Sequence, residues 1–163
     1  MTISFILNGE DVTIHTDAEK RLIDILRGSF QLLSPKSGCF SGRCGSCSVM
    51  LNGEIVKSCL IPAFKIHGCE VITIEGFSQT GEYLDIVTGF AEAGVETCAY
   101  CDTGKILAVE ALLSKKVRPG REEILPAFHG IKCRCTEPES LIKGVECIAE
   151  KRQRRLYGSR HII

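Results

Sequence analysis

The stretch that decides the fold of this chain is rich in cysteine and glycine, and it reads Ser37-Gly38-Cys39-Phe40-Ser41-Gly42-Arg43-Cys44-Gly45-Ser46-Cys47. Its three cysteines follow the spacing C-x4-C-x2-C, and Cys59 stands twelve residues after the third of them. Because glycine accepts positive φ angles and close backbone contacts, we expect Gly38, Gly42 and Gly45 to let the segment curve tightly. Backbone N–H groups of such a loop can point at sulfur atoms. The segment is therefore predicted to be a loop that presents several thiols to one bound group.

The spacing of the four cysteines indicates which group this loop binds. C-x4-C-x2-C followed by a more distant cysteine is the pattern of plant-type 2Fe–2S sites. Asn52-Gly53 predicts a tight hairpin before Cys59, so the returning strand can bring that thiol to the loop. A structural zinc site is the alternative, but such sites favour paired C-x2-C knuckles. We therefore predict a first 2Fe–2S cluster, and its ligands are Cys39, Cys44, Cys47 and Cys59.

The overall composition limits the other functions that are open to the chain. Its 163 residues include ten cysteines, and 20 Lys+Arg balance 20 Asp+Glu. This balance gives no basic excess for binding nucleic acid, and no apolar run is long enough to cross a membrane. The first residues lack the charged and apolar regions of a secretory signal, so we expect a cytoplasmic location. In that reducing compartment, cysteines are expected to bind metal rather than to form disulfides.

Hydrophobic patterning in residues 1–76 predicts a small mixed sheet packed on one helix. Strands are indicated by alternating apolar and polar side chains, and the helix by apolar side chains at a spacing of three and four residues. The predicted elements are a hairpin over residues 3–14 that turns at Asn8-Gly9, a helix over residues 18–27 with Asp17 as N-cap, a hairpin over residues 49–56, and a strand over residues 71–74 that ends at Gly76.

The rest of the chain has helical periodicity. Residues 77–84 carry loop-forming side chains and are predicted to be a linker, so the predicted domains are residues 1–76 and residues 85–163. The basic run at residues 151–155 is interpreted as a solvated helix end, with docking to an acidic partner as the alternative. The predicted helices cover residues 85–93, 104–116, 121–129 and 138–155.

A second group of cysteines lies in this helical half, where Cys98-x2-Cys101 is followed by Cys133-x-Cys135. This motif alone is compatible with zinc or with an iron–sulfur cluster. Beside the first motif it favours a second redox centre, whose negative charge Arg134 could offset. Two cysteines remain, Cys69 and Cys147, and they are predicted to be free and buried. No phosphate loop or nucleophile elbow is present, so we expect no substrate site on this chain.

Taken together, the two motifs resemble those of the small iron–sulfur subunit of the molybdenum hydroxylases, the xanthine dehydrogenase/aldehyde oxidoreductase family. The resemblance covers roughly residues 3–150. The first motif, with Asn52-Gly53 and Cys59 after it, is similar to the N-terminal motif of that family. The segments Cys98-Ala99-Tyr100-Cys101 and Cys133-Arg134-Cys135-Thr136 are similar to its C-terminal motif.

The resemblance implies an α+β chain, with an N-terminal β-grasp plant-type ferredoxin domain followed by a C-terminal four-helix-bundle 2Fe–2S domain. It implies a second 2Fe–2S cluster on Cys98, Cys101, Cys133 and Cys135. Single electrons would pass from a molybdopterin-binding large subunit through this cluster, then through the first cluster, to an FAD-binding medium subunit. Phe40 and Tyr100 flank the two ligand loops and are expected to contact these partners.

The chain departs from the usual family pattern beside the second motif. Thr97 replaces a glutamine that contacts the pterin in the family, and Asp102, Glu137 and Pro138 are further differences. The two acidic side chains should lower the reduction potential of the second cluster unless they point away from it. These differences motivate one alternative, a divergent two-cluster ferredoxin-like carrier or adaptor that serves a non-molybdenum partner. Another alternative is a zinc-stabilised interaction module without redox function.

Overall fold

A five-stranded mixed sheet forms the N-terminal half of the chain in the computed structural model, which describes residues 1–158. The strand order is β2-β1-β5-β3-β4, and the β1–β5 pair is parallel whereas the other neighbours are antiparallel. The arrangement confirms the predicted β-grasp sheet. The strands are β1 (Thr2–Leu7), β2 (Glu10–His15), β3 (Ser48–Leu51), β4 (Glu54–Lys57) and β5 (Glu70–Ile72).

Both predicted Asn-Gly turns are present, and each also holds β5 in place. Asn8 and Asn52 have φ angles of 52° and 50°, and the glycine after each is also in the left-handed region. The side-chain oxygen of Asn8 accepts the backbone N–H of Thr73 at 2.8 Å, and that of Asn52 accepts the N–H of Glu70 at 2.8 Å. The two turns therefore bind opposite ends of the central strand.

A buried helix, α1 (Leu22–Gly28), covers one face of the sheet. Its apolar side chains have no solvent exposure and pack on the inward-facing residues of β1, β3 and β5. The predicted start at Ala18 with Asp17 as N-cap is wrong. Backbone hydrogen bonds join residues 18–22 to residues 61–64, and this pairing holds the segment before Leu22 in extended and turn conformations.

The end of β5 and the predicted linker also differ from the sequence-based expectation. The last strand ends at Ile72 rather than at Ile74, because Asn8 takes the backbone N–H of Thr73. A short helix, α2 (Ile74–Phe77), follows directly. The next helix, α3 (Gly81–Glu92), begins inside the predicted linker, since the Thr80 hydroxyl accepts the N–H of Tyr83 and caps it.

Four helices form the C-terminal half, as predicted. Their shared core contains Ile86, Leu107, Ile124 and Ile148, none of which is exposed. Pro126 is tolerated because α5 is short and the proline lies in its last turn. None of the helices within residues 1–158 combines the length and the apolar character needed to span a bilayer. The four helices are α3, α4 (Asp102–Leu113), α5 (Arg121–Ala127) and α6 (Pro138–Tyr157); the predicted end of the second domain, residues 159–163, lies outside the described residues.

Two arginines at the end of α6 join this helix to α3 and α4. The Arg152 guanidinium is buried, and it contacts the Glu110 carboxylate at 2.6 Å and the Asp85 carboxylate at 3.8 Å. Arg155 contacts the same Asp85 at 2.9 Å. The interpretation of this basic run as a solvated helix end is therefore wrong for Arg152, whereas Arg155 is exposed and pairs with carboxylates of α3.

Arg152→Leu is expected to lower the free energy of unfolding by about 3–5 kcal/mol, because it leaves the Glu110 carboxylate buried without its cation. Arg154→Leu is the matched control, since Arg154 is exposed and pairs with Glu150 one helical turn away. The control should change stability by about 0.5 kcal/mol or less. Anaerobic urea unfolding of the cluster-loaded protein, followed by circular dichroism, measures both. Equal losses for the two variants would contradict the assigned role of the buried pair.

The cysteine loop of the N-terminal half packs directly on the helical half. The backbone N–H of Lys132 donates to the carbonyl of Cys44 at 3.1 Å. A Cβ atom on Gly104, in the first turn of α4, would lie 2.9 Å from the carbonyl oxygen of Gly45. A Cβ atom on Gly45 would lie 2.6 Å from the carbonyl oxygen of Gly130. The two halves therefore approach at distances that only glycine allows.

Gly45→Ala is expected to destabilise the protein more than Gly53→Ala. Both glycines have φ near +80°, at 78° and 80°, so each alanine carries the same left-handed strain of roughly 1–2 kcal/mol. Only the Gly45 variant adds a collision with backbone of the helical half, whereas nothing lies within 4 Å of a Cβ on Gly53. The extra loss should be about 1–3 kcal/mol. Urea midpoints of the two variants measure the difference, and identical midpoints would show that the contact is not tight.

Candidate iron–sulfur centres

The first cysteine loop directs three backbone amides at the sulfur of its exposed member, Cys39. The amides belong to Ser41, Arg43 and Cys44, and their N···S distances are 3.4, 3.2 and 3.4 Å. Hydrogen bonds from the side chain and the backbone of Ser41 are the main reason that the pKa of Cys39 falls to about 5. The loop is therefore arranged to stabilise a thiolate at this position, as a metal ligand requires.

The other cysteines of this motif lie deeper in the protein. Cys47 and Cys59 are buried and pack against Ile23 of α1. The hydroxyl of Ser58 donates to the carbonyl of Cys47 at 2.7 Å, which ties the segment before Cys59 to the loop. Burial raises the pKa of Cys47 to about 11. A bound metal would have to displace that proton, so cluster binding is linked to thiol ionisation here.

Glycine conformation in the loop agrees with the expectation at two of three positions. Gly42 and Gly45 have φ angles of 73° and 78°. Gly38 is not in the left-handed region, and the residue that adopts this conformation instead is Phe40, at 51°. Position 38 requires glycine for a different reason, since a Cβ atom there would collide with the Tyr100 hydroxyl from the second motif.

The sulfur atoms of the second motif form one continuous group. Cys98 and Cys101 are 3.4 Å apart, Cys101 and Cys135 are 3.2 Å apart, and Cys135 and Cys133 are 2.9 Å apart. Cys101 directly precedes α4, whereas Cys133 and Cys135 lie in the loop between α5 and α6. Four thiols from two loops therefore meet, and this donor set fits an iron–sulfur cluster.

The thiols of the second motif differ in their environment. Burial raises the pKa of Cys101 to about 12. Burial acts in the same direction at Cys133, but hydrogen bonds from the Cys135 thiol and from Lys105 outweigh it and lower the pKa of Cys133 to about 6. Cys98 and Cys135 are exposed, so this group reaches the surface on one side.

Lys105 is the site residue that sequence reasoning missed. It is 1% exposed, and its ammonium donates to the Cys133 sulfur at 3.0 Å and to the Thr136 hydroxyl at 2.6 Å. Arg134, which was expected to offset the cluster charge, is exposed to solvent. The available signal was a single lysine directly before the apolar run at residues 106–109 of α4.

The first motif also has a lysine beside it, Lys57 at the end of β4. It is partly buried, and its ammonium donates to the Ser48 hydroxyl at 3.1 Å. Burial lowers the pKa of Lys57, while all four thiols of the first motif act on it in the opposite direction, Cys47 most strongly. A cation at this position favours the thiolate forms of these cysteines.

The remaining residues named in the sequence analysis differ from the ligand cysteines in their exposure to solvent. Thr97, Glu137 and Tyr100 are exposed, and Phe40 is 40% exposed with Arg21 stacked on its ring. The prediction that the two remaining cysteines are buried is wrong, because Cys69 and Cys147 are both partly exposed.

Known protein families match both halves of the chain. Residues 5–66 match a 2Fe-2S iron-sulfur cluster binding domain, and residues 73–146 match a second 2Fe-2S binding domain. The chain is 43% identical to the nicotinate dehydrogenase small FeS subunit of Eubacterium barkeri, over 83% of this chain and 87% of the relative. It is 32% identical to the nicotine 6-hydroxylase small subunit of Paenarthrobacter nicotinovorans, over 85% of this chain and 84% of the relative.

A solved structure gives the same result. The crystal structure of quinoline 2-oxidoreductase from Pseudomonas putida 86 superimposes with a TM-score of 0.83 at 31% identity, and the match covers 94% of this chain and 96% of that one. The comparisons do not favour the alternative of a divergent carrier for a non-molybdenum partner, nor the zinc module. Two 2Fe–2S domains in this order, with small-subunit relatives matched over most of their length, decide the assignment. The chain belongs to the small 2Fe–2S electron-transfer subunits of the molybdenum hydroxylase family.

Proposed function

We propose that this chain relays single electrons from a molybdopterin-binding large subunit to an FAD-binding medium subunit. Its proposed ligands are Cys98, Cys101, Cys133 and Cys135 for the cluster that receives the electron, and Cys39, Cys44, Cys47 and Cys59 for the cluster that passes it on. When bound, such clusters supply reversible one-electron redox chemistry. The chain supplies the thiolates, shields them, and fixes the distance between the two ligand sets.

The observation that carries this proposal is the hydrogen bond between the two ligand loops. The carbonyl of Cys44 accepts the N–H of Lys132, and Lys132 is bonded to Cys133. One hydrogen bond and a few covalent bonds thus connect a proposed ligand of one set with a proposed ligand of the other. Each set also has an exposed thiol, Cys39 in the first and Cys98 in the second, where a partner could approach.

The same proposal includes the organisation and the location of the chain. Two apolar cores, one under the sheet and one mainly within the helices, support a division into a ferredoxin domain, residues 1–76, and a helical domain. The helical domain was predicted to begin at residue 85, but α3 begins at Gly81, inside the predicted linker of residues 77–84. We also propose a cytoplasmic location, because reducing conditions keep the ten free thiols available for metal.

Purification of the chain with its native partners, by a tag on this chain, tests the proposal through metal and flavin content. Two 2Fe–2S clusters require about four iron atoms per chain. Molybdenum and flavin are expected at parity with the chain. Iron without molybdenum would contradict the proposed donor subunit, and zinc in place of iron would contradict the proposed clusters.

Cys44→Ser is expected to lower the iron content from about four to about two atoms per chain and to reduce substrate-driven electron transfer at least tenfold, because one cluster is lost from the path. Cys69→Ser is the matched control, since Cys69 is a partly exposed cysteine outside both motifs. Iron analysis and turnover of the assembled complex measure both variants. Full turnover by Cys44→Ser would exclude the first motif from the electron path.

A further inference from the structure

Lys105 occupies an unusual position for a lysine. It lies in the first turn of α4, with Cys101 just before the helix, and only 1% of its surface is exposed. Its ammonium contacts the Cys133 sulfur at 3.0 Å and the Thr136 hydroxyl at 2.6 Å. Within residues 1–158, no carboxylate oxygen lies within 4.0 Å of this ammonium. Its negative partner is therefore a cysteine sulfur.

The same side chain joins the two loops of the second motif. Lys105 donates to the Thr136 hydroxyl, and that hydroxyl donates to the backbone carbonyl of Glu96. Glu96 precedes the Cys98 loop, whereas Thr136 follows Cys135. The ammonium therefore connects helix α4 with both ligand loops and fixes the position of the Cys133 sulfur.

A buried ion without an opposite charge is strongly unfavourable, so the environment of Lys105 must compensate its charge. The four thiols, as thiolates holding an iron–sulfur centre, would provide that compensation, and the attraction would act through a medium of low dielectric constant. One-electron reduction of a cluster held by these four thiols would add negative charge close to the Lys105 ammonium. A fixed positive charge at this distance stabilises the reduced state more than the oxidised state.

We propose that Lys105 is a positioning residue that holds Cys133 and raises the reduction potential of the second 2Fe–2S centre. The proposal rests on the ligand set given under the proposed function. It makes the second centre a better acceptor for an electron arriving from the donor subunit. It also offsets the lowering of the potential that an acidic neighbour such as Asp102 would produce.

The test compares Lys105→Met and Lys105→Gln with the unaltered chain in the purified complex. Both variants remove the charge, and glutamine keeps a hydrogen-bond donor. Lys132→Met is the matched control, because it removes an exposed lysine that is adjacent to the same Cys133. Iron content establishes that both centres are present, and an EPR-monitored redox titration gives the potential of each centre separately.

At the midpoint potential of the unaltered second centre, both Lys105 variants are expected to lower its ratio of reduced to oxidised form about tenfold, which corresponds to about 59 mV for a one-electron couple. The first centre should not shift, and Lys132→Met should leave both centres within twofold. If Lys105→Met does not assemble, Lys105→Gln decides in the same way.

Three results would overturn the proposal. If the Lys105 variants contain both centres but the potential of the second is unchanged, the charge of Lys105 does not affect that potential. If Lys132→Met shifts the potential equally, the burial of Lys105 is not what matters. Loss of the second centre from both Lys105 variants would make the lysine a structural requirement rather than a tuning residue. Failure of the proposed function would give a different result, because the unaltered chain would then contain fewer than about four iron atoms.

Discussion

The close backbone contact between the two cysteine loops is the constraint on which the rest of the structure depends. Glycines stand on both sides of this contact, Gly45 in the first loop and Gly104 at the start of α4, because a side chain at either position would separate the loops. The contact brings the N–H of Lys132 to the carbonyl of Cys44. The packing of the sheet on α1 holds the first loop at this contact, and the packing of α4 in the helical core holds the second.

Cys39 and Cys133 are stabilised as thiolates by different means, and the difference follows their exposure to solvent. At Cys39, which is exposed, three backbone amides point at the sulfur, and solvent can screen the remaining charge. At Cys133, one backbone amide, that of Cys135, is joined by a buried ammonium. An amide is a dipole, so it lowers the free energy of ionising only the thiol it points at. A buried ammonium carries a full charge and acts on all the nearby thiolates through a medium of low dielectric constant.

Much of the fold and most of the candidate site could be predicted from local sequence. The Asn-Gly turns and the alternating pattern of β1 depend only on nearby residues, and the structure agrees with them. The cysteine spacings are also local signals, and the four thiols of the second motif do lie together in the structure. The start of α1 could not be predicted, because distant backbone at residues 61–64 competes for its first turn. Arg152 and Lys105 were missed for a related reason. Whether a charged side chain on a helix is solvated or buried depends on which elements cover it, and the covering elements here come from other parts of the chain.

Two of the differences from the family pattern, Asp102 and Glu137, place carboxylates near the second motif, and their positions limit the effect of these charges. Asp102 adds a negative charge next to Cys101, but its carboxylate is partly exposed and lies 3.7 Å from the ammonium of Lys36 in the other half of the chain. Glu137 is exposed at the start of α6. The two carboxylates are thus screened by water or paired with Lys36, whereas Lys105 is buried against a cysteine sulfur. Because screening weakens exposed charges far more than a buried one, Lys105 is expected to act on the second cysteine group more strongly than Asp102 or Glu137.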